Sequence, residues 1–124
     1  MNIIEFFDQN WQLQKWQQGF SKRERTLLTG LSGTAKSLVM ANAYENVADK
    51  YIIVTDSQFH ANELYDELST LLGEEKVFQS FSDDNIYAEF ALASKDRVAY
   101  RLEALNFLLD ERATGFLVVP FLAL

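Results

Sequence analysis

Gly30-Leu-Ser-Gly-Thr-Ala-Lys-Ser37 brings together the residue types that bind phosphate. The phosphate-loop pattern is Gly, four residues, then Gly-Lys-Ser/Thr. Gly30 fills the first position, Lys36 the lysine and Ser37 the hydroxyl, and Ala35 stands where the second glycine belongs. Such a loop works because backbone N–H groups and a helix N-terminus converge on phosphate. The lysine adds charge at the terminal phosphates, and the hydroxyl holds magnesium. Gly30, Gly33, Thr34, Lys36 and Ser37 are therefore the candidate cofactor-binding residues. A glycine at the second position lets the backbone come close with no Cβ in the way. Ala35 puts a methyl group at that tightest point, so two readings stand. One is a nucleotide site with an altered residue. The other is a strand-to-helix turn that keeps the loop shape without its ligand.

The other parts of an ATPase are missing from their expected places. Magnesium and the attacking water need carboxylates at the end of an apolar strand. The run Phe116-Leu-Val-Val119 ends in Pro120-Phe121, and Tyr51-Ile-Ile-Val54 ends in Thr55-Asp56, where Asp56 suits a helix cap. Glu74-Glu75 and Asp83-Asp84 fall in turns and read as solvated. His60, the single histidine, sits at a helix start with no base or ligand role. Trp11 and Trp16 read as packing anchors rather than as a nucleotide-stacking shelf. Arg97 and Arg101, four apart on one helix face, suit either an acidic partner or nearby acids such as Glu103. No catalytic residue and no metal site is expected.

The elements that must position the loop alternate between strand and helix. Asn2 to Gln18 predicts one or two short amphipathic helices, broken near Asp8-Gln-Asn10. Arg25 to Thr29 predicts a buried first strand, and Thr34 to Ala48 a helix with Leu38, Val39, Ala43 and Val47 on its apolar stripe. Tyr51 to Val54 is the next strand, with Ile52, Ile53 and Val54 expected at the sheet centre beside Val118 and Val119. Thr55-Asp-Ser57 supplies cap chemistry for a helix from Gln58 to Leu72, its core face Phe59, Leu64, Leu68 and Leu71, and Gly73 ends it. Val77 to Phe81 is a third strand. Ser82 to Asn85 is a turn before Ile86 to Leu92. A helix from Ser94 follows, with Val98, Leu102, Leu105 and Leu109 at helical spacing. Phe116 to Val119 is the fourth strand. This order implies right-handed crossovers and a mainly parallel sheet buried on both faces.

At 124 residues one domain is expected, spanning 1–124. A net charge of −7 works against non-specific nucleic-acid binding, which needs a cationic footprint. There is no cysteine, which excludes disulfides and cysteine-ligated zinc and fits a reducing compartment. No stretch approaches membrane-spanning length, and the first residues lack the pattern of a signal peptide, so the cytoplasm is the expected compartment. Gly115 to Leu124 is apolar to its last residue, which reads as a cut from a longer protein.

Beyond the loop, an ordered series of segments resembles a known family. Leu27-Leu-Thr-Gly-Leu-Ser-Gly-Thr-Ala-Lys-Ser37 resembles the degenerate phosphate-loop segment in the N-terminal region of bacterial transcription-repair coupling factors, the Mfd family. That region is similar in turn to the excision-repair protein UvrB. Tyr51 to Leu68, Val77 to Asp84, Asp96 to Leu105 and Phe116 to Leu124 continue the likeness over nearly the whole chain. The resemblance implies an α/β fold of the P-loop NTPase type, RecA- or UvrB-like, with a mainly parallel sheet flanked by helices and truncated. It implies a parent that translocates on double-stranded DNA, displaces stalled RNA polymerase and recruits UvrA, with ATP and magnesium used in a motor region outside this chain. Two departures limit the transfer. Phe81 to Ile86 leaves no room for UvrB's DNA-gripping hairpin, and Ala35 replaces the loop glycine. The chain itself is then expected to be a non-catalytic module without its own cofactor. It would meet other domains of the same chain and bind neither DNA strongly nor membrane. A competent ATP-binding domain of UvrB or helicase type is the other reading.

Overall fold

A computed structural model describes residues 3–81 and 93–121. Ser82–Asn85, Ile86–Leu92 and the Asp83-Asp84 pair lie outside the described residues. The chain forms two compact units, Met1–Ala48 and Asp49–Leu124.

The first unit is helical. α1 (Ile3–Phe6) runs through a 3-10 turn at Phe7–Gln9 into α2 (Trp11–Ser21), and α3 (Ala35–Asn46) follows the loop. The break falls where the polar run Asp8-Gln-Asn10 places it. Asn10 caps α2, its Oδ1 accepting from Gln12 N at 2.9 Å and Leu13 N at 3.3 Å. Ile4, Leu13, Val39, Ala41 and Ala43 are buried. Two expectations fail here. Arg25–Thr29 forms no strand: it is irregular, and Leu27 is 88% exposed. A strand needs a paired neighbour and a face to bury. Arg25, Thr26 and Thr29 leave only two leucines to supply that face. Trp11 is not a packing anchor either, since it is exposed on α2, whereas Trp16 is half-buried edge-on to Phe20 at 4.8 Å between ring centres.

The second unit is an open α/β layer. β1 (Lys50–Thr55), α4 (Gln58–Leu72), a 3-10 turn at Glu74–Lys76, β2 (Val77–Gln79), α5 (Ala93–Leu109) and β3 (Gly115–Pro120) follow in order. The three strands are all parallel, in the order β1-β3-β2. β3 is central, and all six of its residues are buried. Ile53 pairs with Val118 and Val54 with Val119. β1 nevertheless lies at an edge of the sheet, not at its centre, and Ile52 and Val54 are exposed. The reason is layer coverage. Residues in register on parallel strands share a face, so Ile52 and Val54 lie on the side of Leu117 and Val119. On that side Ala104 and Phe107 of α5 pack on Phe78, Leu117 and Val119, leaving β1 uncovered.

α4 is capped by Ser57, whose Oγ accepts from His60 N at 3.2 Å, and ends at Gly73 with φ of +96°. Leu68 and Ala61 are fully buried, Leu64 and Leu71 half-buried, and Phe59 is exposed, contrary to expectation. The correction for α5 is larger. Val98, Leu102, Leu105 and Leu109 are all exposed. The face turned inward is the one holding Ala104 and Phe107, with the Phe107 ring stacked on Phe78 at 4.6 Å. α5 is apolar on two sides, and periodicity finds both faces without ranking them. Gly115 holds the sheet's tightest contact. Its φ is +145°, and a Cβ there would lie 2.2 Å from the Lys76 carbonyl oxygen. Only glycine lets the start of β3 pass that backbone.

Candidate functional site

The loop reaches α3 through two left-handed glycines, Gly30 at φ +88° and Gly33 at φ +56°. Both are in open space: a Cβ at either would meet nothing within 4 Å. Glycine is therefore required here for backbone conformation and not for close approach. Thr34 occupies the N-cap position in helical geometry, with no side-chain cap bond. Ala35, Lys36 and Ser37 form the first turn, where helix N–H groups lack intrahelical acceptors. The Ala35 N–H donates to the Ser32 carbonyl at 3.2 Å, so the loop closes on itself at the position where the glycine is replaced.

The five candidate residues are brought together along this one turn. Gly30, Gly33 and Thr34 are exposed, and so is Lys36, which makes no ion pair among the described residues. Ser37 is buried, at 1% exposure. The arrangement presents a helix start and one exposed ammonium to an anion. No strand among the described residues leads into it.

α3 is held in place by side chains that pattern reading passed over. Asn42, 1% exposed, accepts from Gln17 Nε2 at 2.7 Å and donates to the Ile4 carbonyl at 3.0 Å and to Asp8 Oδ1 at 2.8 Å. Asn46 donates to the same Asp8 oxygen at 2.9 Å and to Gln17 Oε1 at 3.1 Å. These bonds from Asn46 and then Asn42 hold the Asp8 carboxyl below its ordinary value. The signal in the sequence is a pair of asparagines four apart, Asn42 and Asn46, with Asn42 lying between two buried alanines.

The remaining polar candidates lie elsewhere. Asp56 does not cap α4; Ser57 does. Asp56 Oδ1 instead meets His60 Nδ1 at 2.5 Å on the surface, and that bond lowers the Asp56 pKa. β3 ends at Pro120 and then the exposed Phe121, so no carboxylate follows it. Glu74 and Glu75 are exposed in their turn, Arg101 is exposed on α5, and the side chain of Arg97 lies outside the description.

Sheet and helices define an open α/β protein with a small three-stranded parallel sheet flanked by helices. Within that class the chain is homologous to transcription-repair-coupling factors. It is 34% identical over 99 residues to the factor of Bacillus subtilis (strain 168), covering 79% of this chain and 8% of the relative. It is 26% identical over 95 residues to that of Staphylococcus aureus (strain USA300), covering 77% of this chain and again 8% of the relative. The chain thus spans about a twelfth of the length of the curated relatives it matches. No protein-family profile and no solved structure matches it. Among the described residues, no helix is long and apolar enough to cross a membrane.

Proposed function

We propose that the chain acts as a non-catalytic module of a transcription-repair-coupling factor. In this reading the whole factor is an ATP-driven DNA translocase that displaces RNA polymerase stalled at lesions and recruits UvrA for excision repair. ATP and magnesium serve a motor region elsewhere in the factor. This module contributes scaffold and packing surface to other domains, and holds neither DNA nor nucleotide strongly. The supporting observation is the Ala35 N–H turned onto Ser32, which takes one donor out of the phosphate cradle where the pattern wants glycine. The end of β3 in Pro120 and then Phe121, with no carboxylate there, agrees with it. Gly30, Gly33, Thr34, Lys36 and Ser37 are then a phosphate loop kept for its shape: a short connection into α3.

The test is ATP turnover by the purified chain beside Lys36→Ala and Ala35→Gly. We expect all three to stay at background, with or without double-stranded DNA. DNA-stimulated turnover above the Lys36→Ala control would overturn the reading. Turnover that appears only with Ala35→Gly would make this a motor domain held off by one methyl group.

A further inference from the structure

α5 carries an apolar face that nothing among the described residues covers. Ala104 and Phe107 point into the core. Val98, Leu102, Leu105 and Leu109, roughly on the opposite side at 100° per residue, are 57%, 56%, 47% and 78% exposed. Their spacings of four, three and four are those of a heptad seam, the pattern that seats one helix against another. A helix apolar on both sides is ordinarily covered on both.

We propose that the outer face of α5 is the docking surface for an amphipathic helix from another part of a transcription-repair-coupling factor, joined in cis. The proposal rests on the module reading above and names the surface through which the module is held. The size of the seam selects the occupant. It spans under two heptads, whereas a self-standing coiled coil sustains about three to four. Two free copies of this chain are therefore not held together by it. A helix on the same polypeptide needs far less area, because a short flexible tether supplies an effective concentration of about millimolar. The relatives, of which this chain spans 8%, have the length to supply one. The occupant presents leucine-type side chains at the same four-three spacing and crosses α5 at about 20°.

The chain has no cysteine, so a single introduced one is a unique reporter within it. Leu105→Cys, with exposed Glu111→Cys and buried Val118→Cys as controls, is labelled with a maleimide. Labelling is done in the chain alone and in the chain grafted into the Bacillus subtilis factor in place of the segment it matches. Mass spectrometry reads the labelled peptide. We expect Leu105→Cys to label as fast as Glu111→Cys in the chain alone and at least tenfold more slowly in the graft. Adding Leu102→Glu to the graft should restore the fast rate. Equal rates at Leu105→Cys in both settings, with Val118→Cys protected, overturn the proposal and leave the module reading standing. Slow labelling in the chain alone, with a dimer in sedimentation, overturns it in favour of a second copy. A graft in which Val118→Cys labels freely counts against the module reading itself, and the proposal falls with it.

Discussion

Each of the two units of the chain is held together internally by its own chemistry. In 1–48, beside the buried Ile4, Leu13, Val39, Ala41 and Ala43, a set of amides ties the helices: buried Gln17 and Asn42 and exposed Asn46 join α2 and α3 to each other and to Asp8 and the Ile4 carbonyl. In 49–124 the centre is volume: six buried residues of β3 lie in the sheet, with Phe107, Phe78, Leu117 and Val119 clustered on one face. A satisfied hydrogen bond contributes little net stability but costs much to half-remove. A packed apolar core loses stability in proportion to what is deleted from it. The first unit should therefore be specific in geometry and modest in strength, and the second should hold most of the free energy.

Gly115→Ala is the strongest attack on the second unit. The new Cβ would meet the Lys76 carbonyl oxygen at 2.2 Å, with φ at +145°, so backbone must move and the β2–β3 pairing must give. A loss of about 4–5 kcal/mol in urea unfolding, or failure to fold, is expected. Phe107→Ala should follow at about 3 kcal/mol, for the lost transfer energy and the cavity beside Phe78. Losses under about 1 kcal/mol for both would show that the sheet unit is not the stable part.

The same contrast explains what could be read from the residues alone. β1, α4 and β3 came within a residue or so of their observed bounds, because unbroken apolar runs, a serine cap and Gly73 are local signals. The side of α5 that faces the core was not legible. Val98, Leu102, Leu105 and Leu109 make a cleaner stripe than Ala104 and Phe107, but only the fit of Phe107 onto Phe78 decides which side turns inward. Arg25–Thr29 reads as a strand from composition, but strand formation depends on a neighbour that composition does not supply. At the loop, the need for glycine at 30 and 33 was legible and appears as positive φ. The inward turn of the Ala35 N–H was not, since it depends on where the Ser32 carbonyl points. Nor was the amide lock, because asparagines in a helix read by default as exposed.

Asn42→Ala tests that lock. It removes an acceptor from Gln17 and a donor from Ile4 and Asp8 at a position 1% exposed. Two or three half-satisfied groups should cost about 2 kcal/mol by the same unfolding measurement. A larger loss than Phe107→Ala would reverse the comparison and make the polar unit the stronger. Gly33→Ala should cost less, about 1 kcal/mol, because the left-handed backbone is strained for alanine while the space around it is empty. A loss matching that of Gly115→Ala would mean that the loop packs against something after all.

The smallest effect sharpens the comparison most, because it separates charge from geometry within the amide lock. Asp8→Asn keeps an oxygen that can accept from Asn42 and Asn46 and removes only the negative charge that strengthens those bonds. The Asp8 pKa is lowered in the folded chain from 3.8, by the bonds from Asn46 and Asn42. A depressed carboxylate pKa means that the folded state favours the charged form. The stability it contributes is fully present above the unfolded value of 3.8 and is lost as pH falls through the lower folded value. The parent chain should therefore exceed Asp8→Asn slightly in urea midpoint at neutral pH, and the two should converge as pH drops below 3.8. Asp8 is partly open to solvent, so the difference is small and should shrink with added salt. If the gap between parent and Asp8→Asn stays constant from neutral pH to well below 3.8, the carboxylate charge is not what strengthens the lock. The first unit would then be held by amide geometry alone.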